Sequence, residues 1–481
     1  MTRLSERNLP ENIQLFAYDR AAVNIGIVHF GIGNFHRAHQ ALYVEELLER
    51  GDTRWGIVGV SMRSSSMKEA LKPQKYLYTL ATLGAQTEYR IIGAVKDILV
   101  APDEPQAVID VIAKPTTHLV SSTITEKGYY LASGHVDFDH PALIAEARLL
   151  ERPTTIYGLI AAGLMARFKS APTSKLTIMC CDNISGGGEL IEAGVRYLLA
   201  QHDKTLLAWL DMHVSFISSM VDRVCPATDD KLKETVFQDT GRYDGSPVSA
   251  EPFRQWIIQD RFKGERPDFD QVGAVFVDDI APFERMKLSY LNGAHTMVSC
   301  LGYLSGDDYV HEALLRPDLF QFTRRALYEN VLPNAAVPAQ YDGAVYIEDV
   351  IKRFQNSHLP YGNLQVGTDS SQKIQQRWFP TLEAALAAGA DCSFFEFCLA
   401  AWVIFIQTAL RNGVLNDPKK CEFEQVQAQN LSERVKAYLD IANGPQYAFY
   451  THSKFMKRVN AYALDINDKG VEQTLKDFLV A

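Results

Sequence analysis

The chain has 481 residues, 47% of them hydrophobic, 22% charged and 10% aromatic, a composition that fits a folded globular protein of two or more domains and excludes a disordered one. A formal charge of −10 with no run of Lys or Arg argues against a nucleic-acid partner. Seven cysteines without a CxxC pair point to a reduced, cytoplasmic protein with neither a disulfide framework nor a structural zinc site. The opening "MTRLSERNLPENIQ" has no apolar core of the kind a secretory signal carries.

In chain order, "NIGIVHF" (24–30) reads as a buried strand and "RAHQALYVEELLERG" (37–51) as an amphipathic helix ending at Gly51. "WGIVGVSM" (55–62) is a second strand, while "YLYTLATL" (76–83) and "EYRIIGAV" (88–95) suggest a local antiparallel addition. Strand-like "THLVSSTIT" (117–125), helical "IYGLIAAGLMARFKS" (156–170), strand-like "KLTIMCCDN" (175–183) and helical "GELIEAGVRYLLAQH" (188–202) follow. Strands alternating with helices predict a doubly wound, mostly parallel sheet of Rossmann type. From about Met286 onward every strong segment has helical periodicity, so the expected organisation is a dinucleotide-binding domain over 1–280 and a helical substrate-binding domain over 281–481. "FFEFCLAAWVIFIQTAL" (394–410) is short for a bilayer and carries Glu396 and Gln407; a buried core helix is expected, not a membrane span. A monomer or weak homo-oligomer is expected.

"IVHFGIGNFHRAHQ" (27–40) sets Gly31 and Gly33 between a strand and a helix, where one glycine makes a tight turn and the next lets backbone approach a pyrophosphate. His36 stands where the third glycine of GxGxxG belongs. No carboxylate ends the second strand; "SMRSSSMKE" offers Arg63 and three serines instead. That leaves NADP open beside NAD, with an exposed loop cation as the plain alternative for Arg63. His29, His36 and His39 need not converge, and no metal is expected.

"KLSYLNGAH" (287–295) places Lys287, Asn292 and His295 at spacings read as lining one helix side, with Glu284 three residues ahead. A lysine desolvated among Leu288, Tyr290, Leu291 and Ala294 is a credible general base, the Asn amide a donor to an oxyanion, and the His a ligand for a hydroxyl. Those parts suit oxidation of a secondary alcohol by a nicotinamide. The bland alternative is an amphipathic helix with a snorkelling lysine and a satisfied core histidine. The Tyr-xxx-Lys spacing in "YTHSK" (450–454) lies far into the helical region and is read as chance.

Taken together, "IVHFGIGNFHRAHQALY", "TITEKGYY", "MCCDN", "SMVDRVCPA", "AEPFRQW" and "MKLSYLNGAHTMVSCLGYLSG" resemble the polyol-specific long-chain dehydrogenases, the mannitol dehydrogenase family. The resemblance implies a metal-independent site in a cleft between a Rossmann-type and a helical domain. It implies Lys287 as general base, Asn292 and Asn183 as oxyanion donors, and His295 as a substrate ligand. Glu284 would relay the proton, and Lys373 would be a further substrate-side cation. Gly31, Gly33, Asn34, Phe35, Arg37, Arg63, Thr125 and Asn183 are the expected cofactor contacts. The implied reaction is NAD-dependent interconversion of a D-mannitol-like polyol with its 2-ketose.

Three departures bear on this. "ISGGGE" follows "CCDN" where relatives have a segment ending Asn-Gly, and Ala294 replaces a small polar residue. Gln365 stands where some polyol enzymes carry Arg, yet "SHLPYGNLQ" lacks the arginines of the hexuronate branch. The missing cations favour a neutral polyol over the rival D-mannonate, since an unpaired buried carboxylate is costly. "TEKGY" and "AEPFRQW" favour the rival. A non-catalytic dinucleotide sensor is the remote alternative; it would be expected to lack the Lys-Asn-His set.

Overall fold

The computed structural model describes residues 2–10, 13–132, 134–427 and 429–480. The chain divides into two compact units, Met1–Ile280 and Ala281–Ala481.

The first unit is built on an eight-stranded sheet. Its strands in chain order are β1 (Ile25–Phe30), β2 (Gly56–Ser61), β3 (Val95–Val100) and β4 (Leu119–Ser122), then β5 (Leu176–Cys180), β6 (Val214–Asp222), β7 (Gln255–Gln259) and β8 (Val275–Val277). In space they run β3-β2-β1-β4-β5-β6-β7-β8, all neighbours parallel except β6 and β7. The chain leaves β1 toward β3, then returns to its other side as β4, so the carboxyl ends of β1 and β4 flank a topological switch point, where doubly wound sheets bind ligands. Successive β1 residues serve opposite faces: Ile27 joins the core with Leu47, Trp55 and Trp256, whereas Val28 and Phe30 join Ile112, Ile160 and Val195. This is the doubly wound sheet expected from the sequence, with Tyr78–Leu83 and Thr87–Ile92 as an antiparallel pair beside it.

Two expected elements are shorter than their patterns. The helix read over 37–51 is two pieces, Asn34–Ala38 and Gln40–Glu49, broken at His39 with φ −120° and ψ −87°. The strand read over 117–125 stops at Ser122, and the chain then winds into a loop.

In the second unit the described residues form helices and turns, with no strand assigned among them. The apolar stretch is the helix Ser393–Arg411, mostly buried and packed against Gly293–Leu304 and Ser453–Lys469. Its two polar residues noted in the sequence are both partnered, Glu396 with Arg458 at 3.3 Å and Gln407 Oε1 accepting from Arg434 at 2.6 Å. A core helix of this kind passes the length test for a membrane span while burying its apolar surface in protein.

Candidate active site

At the carboxyl end of β1, Gly31 has φ +95°, and a Cβ there would sit 2.0 Å from the Thr123 carbonyl oxygen. Only glycine fits, so the turn after β1 lies directly against the turn after β4. Thr123 seals the junction, its Oγ1 donating to the Gly31 carbonyl at 2.9 Å. A Cβ on Gly33 would meet nothing within 4 Å, leaving an open face at the helix start, as an approaching pyrophosphate requires. Asn34 is tied down, its Nδ2 donating to the Pro226 carbonyl at 2.9 Å and Thr228 Oγ1 at 3.0 Å. Phe35 stacks on His39 at 5.1 Å. Beside Asn34 lies a cavity of about 590 Å³, lined also by Ser66, Met67, Cys225 and Lys233, a volume in the range of small-molecule sites.

Arg37 does not present its charge to this surface. Its guanidinium is wholly buried, donating to the Ser246 carbonyl and to Asn34 Oδ1 and lying over the Tyr78 ring; burial pushes it down to about 10. It braces the glycine loop from behind, through Asn34 and the Ser246 carbonyl. Arg63 is exposed at the end of β2, and the nearby carboxylate, Glu69, accepts from Ser65 Oγ at 2.6 Å. The three histidines are structural. His29 sits between Ser121 Oγ and Thr123 Oγ1, each 2.8 Å away, and stacks on His36 at 3.5 Å. Burial pushes both His29 and His39 down to about 3, so they are neutral at physiological pH.

After β4 the chain makes an uncommon turn. Thr125 has φ 67° and ψ 161°, a region nearly confined to glycine and costly for a β-branched residue. The Asp182 carboxylate offsets that strain, accepting from the Ile124 and Thr125 amides at 2.9 and 2.8 Å and from the Tyr129 hydroxyl at 2.6 Å. Burial raises the Asp182 pKa, against the lowering effect of Tyr129 and the two amides. Asn183, the next residue, is exposed. Sequence reasoning used both "TITEKGYY" and "MCCDN" as landmarks and missed that Asp182 and Tyr129 join them.

In the second unit, Lys287–Asn292 is a π-helix between Ala281–Met286 and Gly293–Leu304; the Gly293 amide reaches five residues back to the Leu288 carbonyl. On an α-helix, residues 287 and 292 would lie about 140° apart and could not share a face, contrary to the sequence reading. The π-turn accommodates one extra residue. Asn292 and His295 therefore sit where spacings of four and seven would, roughly 40° and 20° either side of Lys287. The face is shared after all, through a distortion. Carbonyls at the π-to-α junction find side-chain donors: Trp378 Nε1 to the Gly293 oxygen at 3.0 Å, and Arg377 Nη1 to the Asn292 oxygen at 3.2 Å.

Lys287 and Asn292 are buried, at 7% and 8% exposure, and among the described residues the buried Asn292 Nδ2 donor has no hydrogen-bond partner. His295 is held flat between Phe354 at 4.3 Å and Tyr361 at 5.4 Å. Glu284 is half-buried one turn before Lys287. Lys373, on the helix Ser370–Arg377, donates from Nζ to the Val366 carbonyl at 3.2 Å. Among the described residues no group of three or more His, Cys, Asp or Glu side chains gathers as a metal site.

Residues 25–271 match the model of the mannitol dehydrogenase Rossmann domain, and residues 279–462 that of the mannitol dehydrogenase C-terminal domain. The chain is 35% identical to the D-mannonate oxidoreductase of Escherichia coli strain K12, over 92% of this chain and 93% of that one. It is 33% identical to the polyol:NADP oxidoreductase of Gluconobacter oxydans strain 621H over 99% of each chain. Among solved structures it is similar to the Pseudomonas fluorescens mannitol 2-dehydrogenase in ternary complex with NAD and D-mannitol, with a TM-score of 0.84 and 33% identity over 99% of each chain.

Two substitutions test this geometry. Asp182→Asn keeps one acceptor and turns an amide donor toward backbone N–H groups. It is expected to cost about 1–3 kcal/mol in urea unfolding and to speed hydrogen exchange at Ile124 and Thr125; unchanged exchange there contradicts the clamp. Gly31→Ala is expected to cost about 1–3 kcal/mol or more, because the methyl group meets the Thr123 carbonyl; wild-type stability contradicts the close approach.

Proposed function

The chain belongs to the mannitol dehydrogenase family, and from that membership and the side chains on the Lys287–Asn292 helix we propose that it is an NAD-linked oxidoreductase that interconverts a sugar-derived secondary alcohol and its ketone with Lys287 as general base. The single observation that carries this reading is a buried lysine one π-turn ahead of a buried amide donor that, among the described residues, no protein group satisfies. A buried donor without a partner is expensive unless a ligand completes it, and a ketone or alkoxide oxygen is the ligand its chemistry fits.

When bound, the nicotinamide supplies the hydride acceptor; the open face at Gly33, the Gly31 turn and the cavity beside Asn34 fit the dinucleotide. The remaining work belongs to the side chains. Lys287, in its neutral form, takes the hydroxyl proton as the carbinol carbon gives up its hydride. Asn292 stabilises the charge that grows on oxygen. His295, fixed between two aromatic rings, orients a neighbouring hydroxyl, and Glu284 passes the proton from Lys287 toward solvent. In this reading no metal is needed, because the amide donors do the polarising that a Lewis acid would otherwise do. Arg63 and its serine neighbours leave room for a 2′-phosphate, so NADP stands beside NAD.

Lys287→Ala is expected to lower kcat by about 10²–10⁴-fold while the nucleotide still binds, as read by NADH fluorescence titration beside steady-state rates. Turnover within threefold or so of wild type, at matched protein stability, removes Lys287 from the role.

A further inference from the structure

His295 and Lys373, the two side chains of the second unit expected to meet the substrate from its far side, stand on different helices, Gly293–Leu304 and Ser370–Arg377. One short stretch of chain between those helices touches both. The Tyr361 ring stacks on His295 at 5.4 Å, and the Val366 carbonyl accepts from Lys373 Nζ at 3.2 Å. A lysine on its flexible four-carbon stem loses much rotamer freedom when it is held, so a fixed acceptor lowers what substrate binding must supply.

The stretch is itself seated against the helix Gly293–Leu304 and the turn that follows it. The Val310 amide donates to the Tyr361 carbonyl at 2.9 Å, and the Asn363 amide to the Asp308 carbonyl at 2.8 Å. Asn363, 1% exposed, adds a third bond from Nδ2 to the Asp307 carbonyl at 2.9 Å. Gly302 makes room for that side chain. A Cβ at 302 would lie 2.7 Å from Asn363 Nδ2 and 2.8 Å from Ala313 Cβ, closer than a methyl group can approach. Glycine inside a helix is unfavourable beside alanine, and here it leaves a notch that Asn363 fills. At the other end of the stretch, a Cβ on Gly367 would meet Phe405 Cζ of the core helix at 2.5 Å, and the Gly367 amide donates to the Asn363 carbonyl at 2.9 Å. The four residues Asn363–Val366 are helical, and a helix so short has no stability of its own in water. Its place is set by these contacts.

Resting on the dehydrogenase reading above, we propose that Asn363, seated in the notch at Gly302, is a positioning residue for substrate binding. Through Tyr361 and the Val366 carbonyl it holds His295 and Lys373 in the arrangement that receives the substrate, without touching the substrate itself.

The test is steady-state reduction of D-fructose and of D-fructuronate with NADH by the full chain, with an NADH fluorescence titration and a thermal midpoint for each variant. Asn363→Ala and Gly302→Ala are expected to raise KM for the faster sugar by about 10-fold or more, with kcat lowered less and the Kd for NADH within about twofold of wild type. Tyr361→Leu should act in the same direction, and Tyr361→Phe, which keeps the ring, should restore most of the loss. Tyr361→Leu added to His295→Ala should cost no more than about twofold further, because the ring acts through the histidine. A sugar KM within about twofold of wild type in Asn363→Ala overturns the positioning role. So do equal rises in the sugar KM and the NADH Kd, or full additivity of Tyr361→Leu with His295→Ala. Should the Asn363 and Gly302 variants not fold, the Tyr361 and His295 pair decides by the same criteria. A wild type that binds NADH and reduces neither sugar overturns the dehydrogenase reading. The seating is then read from the His295 ring NMR signals, which should shift in Tyr361→Leu; unshifted signals overturn it as well.

Discussion

The π-turn at Lys287–Asn292 is the constraint on which the rest of the site depends. A regular α-helix would send Lys287 and Asn292 to different sides, and the two groups that the proposed alcohol oxidation brings to one oxygen would be separated by the helix itself. Widening one turn costs backbone hydrogen bonds, and the surrounding chain offsets that cost with donors from Trp378, Arg377 and Thr296. A helix stretch stabilised by so many side-chain bonds to its carbonyls is a feature with a purpose, and π-turns are concentrated at functional sites.

The first unit solves a parallel problem with different means. Its glycine turn and the loop after β4 must meet at the sheet's switch point, and they do so because Gly31 has no Cβ and Asp182 holds Thr125 in a conformation the residue would otherwise leave. In both units the local geometry is unfavourable by itself and is held by buried polar contacts from elsewhere in the same unit. Strain held in this way gives preorganisation: the donors are in place before the ligand arrives.

Much of this was legible in the sequence, and the exceptions have physical causes. Alternating strands and helices and the Gly31 and Gly33 loop could be read from periodicity and spacing. The π-turn could not, since pattern reading assumes the α-helical angle. β6 went unnoticed because serines interrupt its apolar run, "VSFISSMVD"; each is satisfied inside, Ser215 by Thr177, Ser218 by Glu189 and Ser219 by the Cys180 carbonyl. Arg37 was expected among the cofactor contacts on the family resemblance alone; that its guanidinium is held by the Ser246 carbonyl, Asn34 and the Tyr78 ring could not be read from the pattern. Arg377 and Asp182 act across 85 and 58 residues of chain, separations that no local pattern reports.

The most direct test of the account is a crystal structure of the ternary complex with a reduced nicotinamide dinucleotide and a bound sugar alcohol or aldonate. The account predicts an intact π-turn with Lys287 Nζ and Asn292 Nδ2 both within about 3 Å of one substrate oxygen. A helix that runs α-helical through 287–292, with those two side chains on opposite sides, would contradict it.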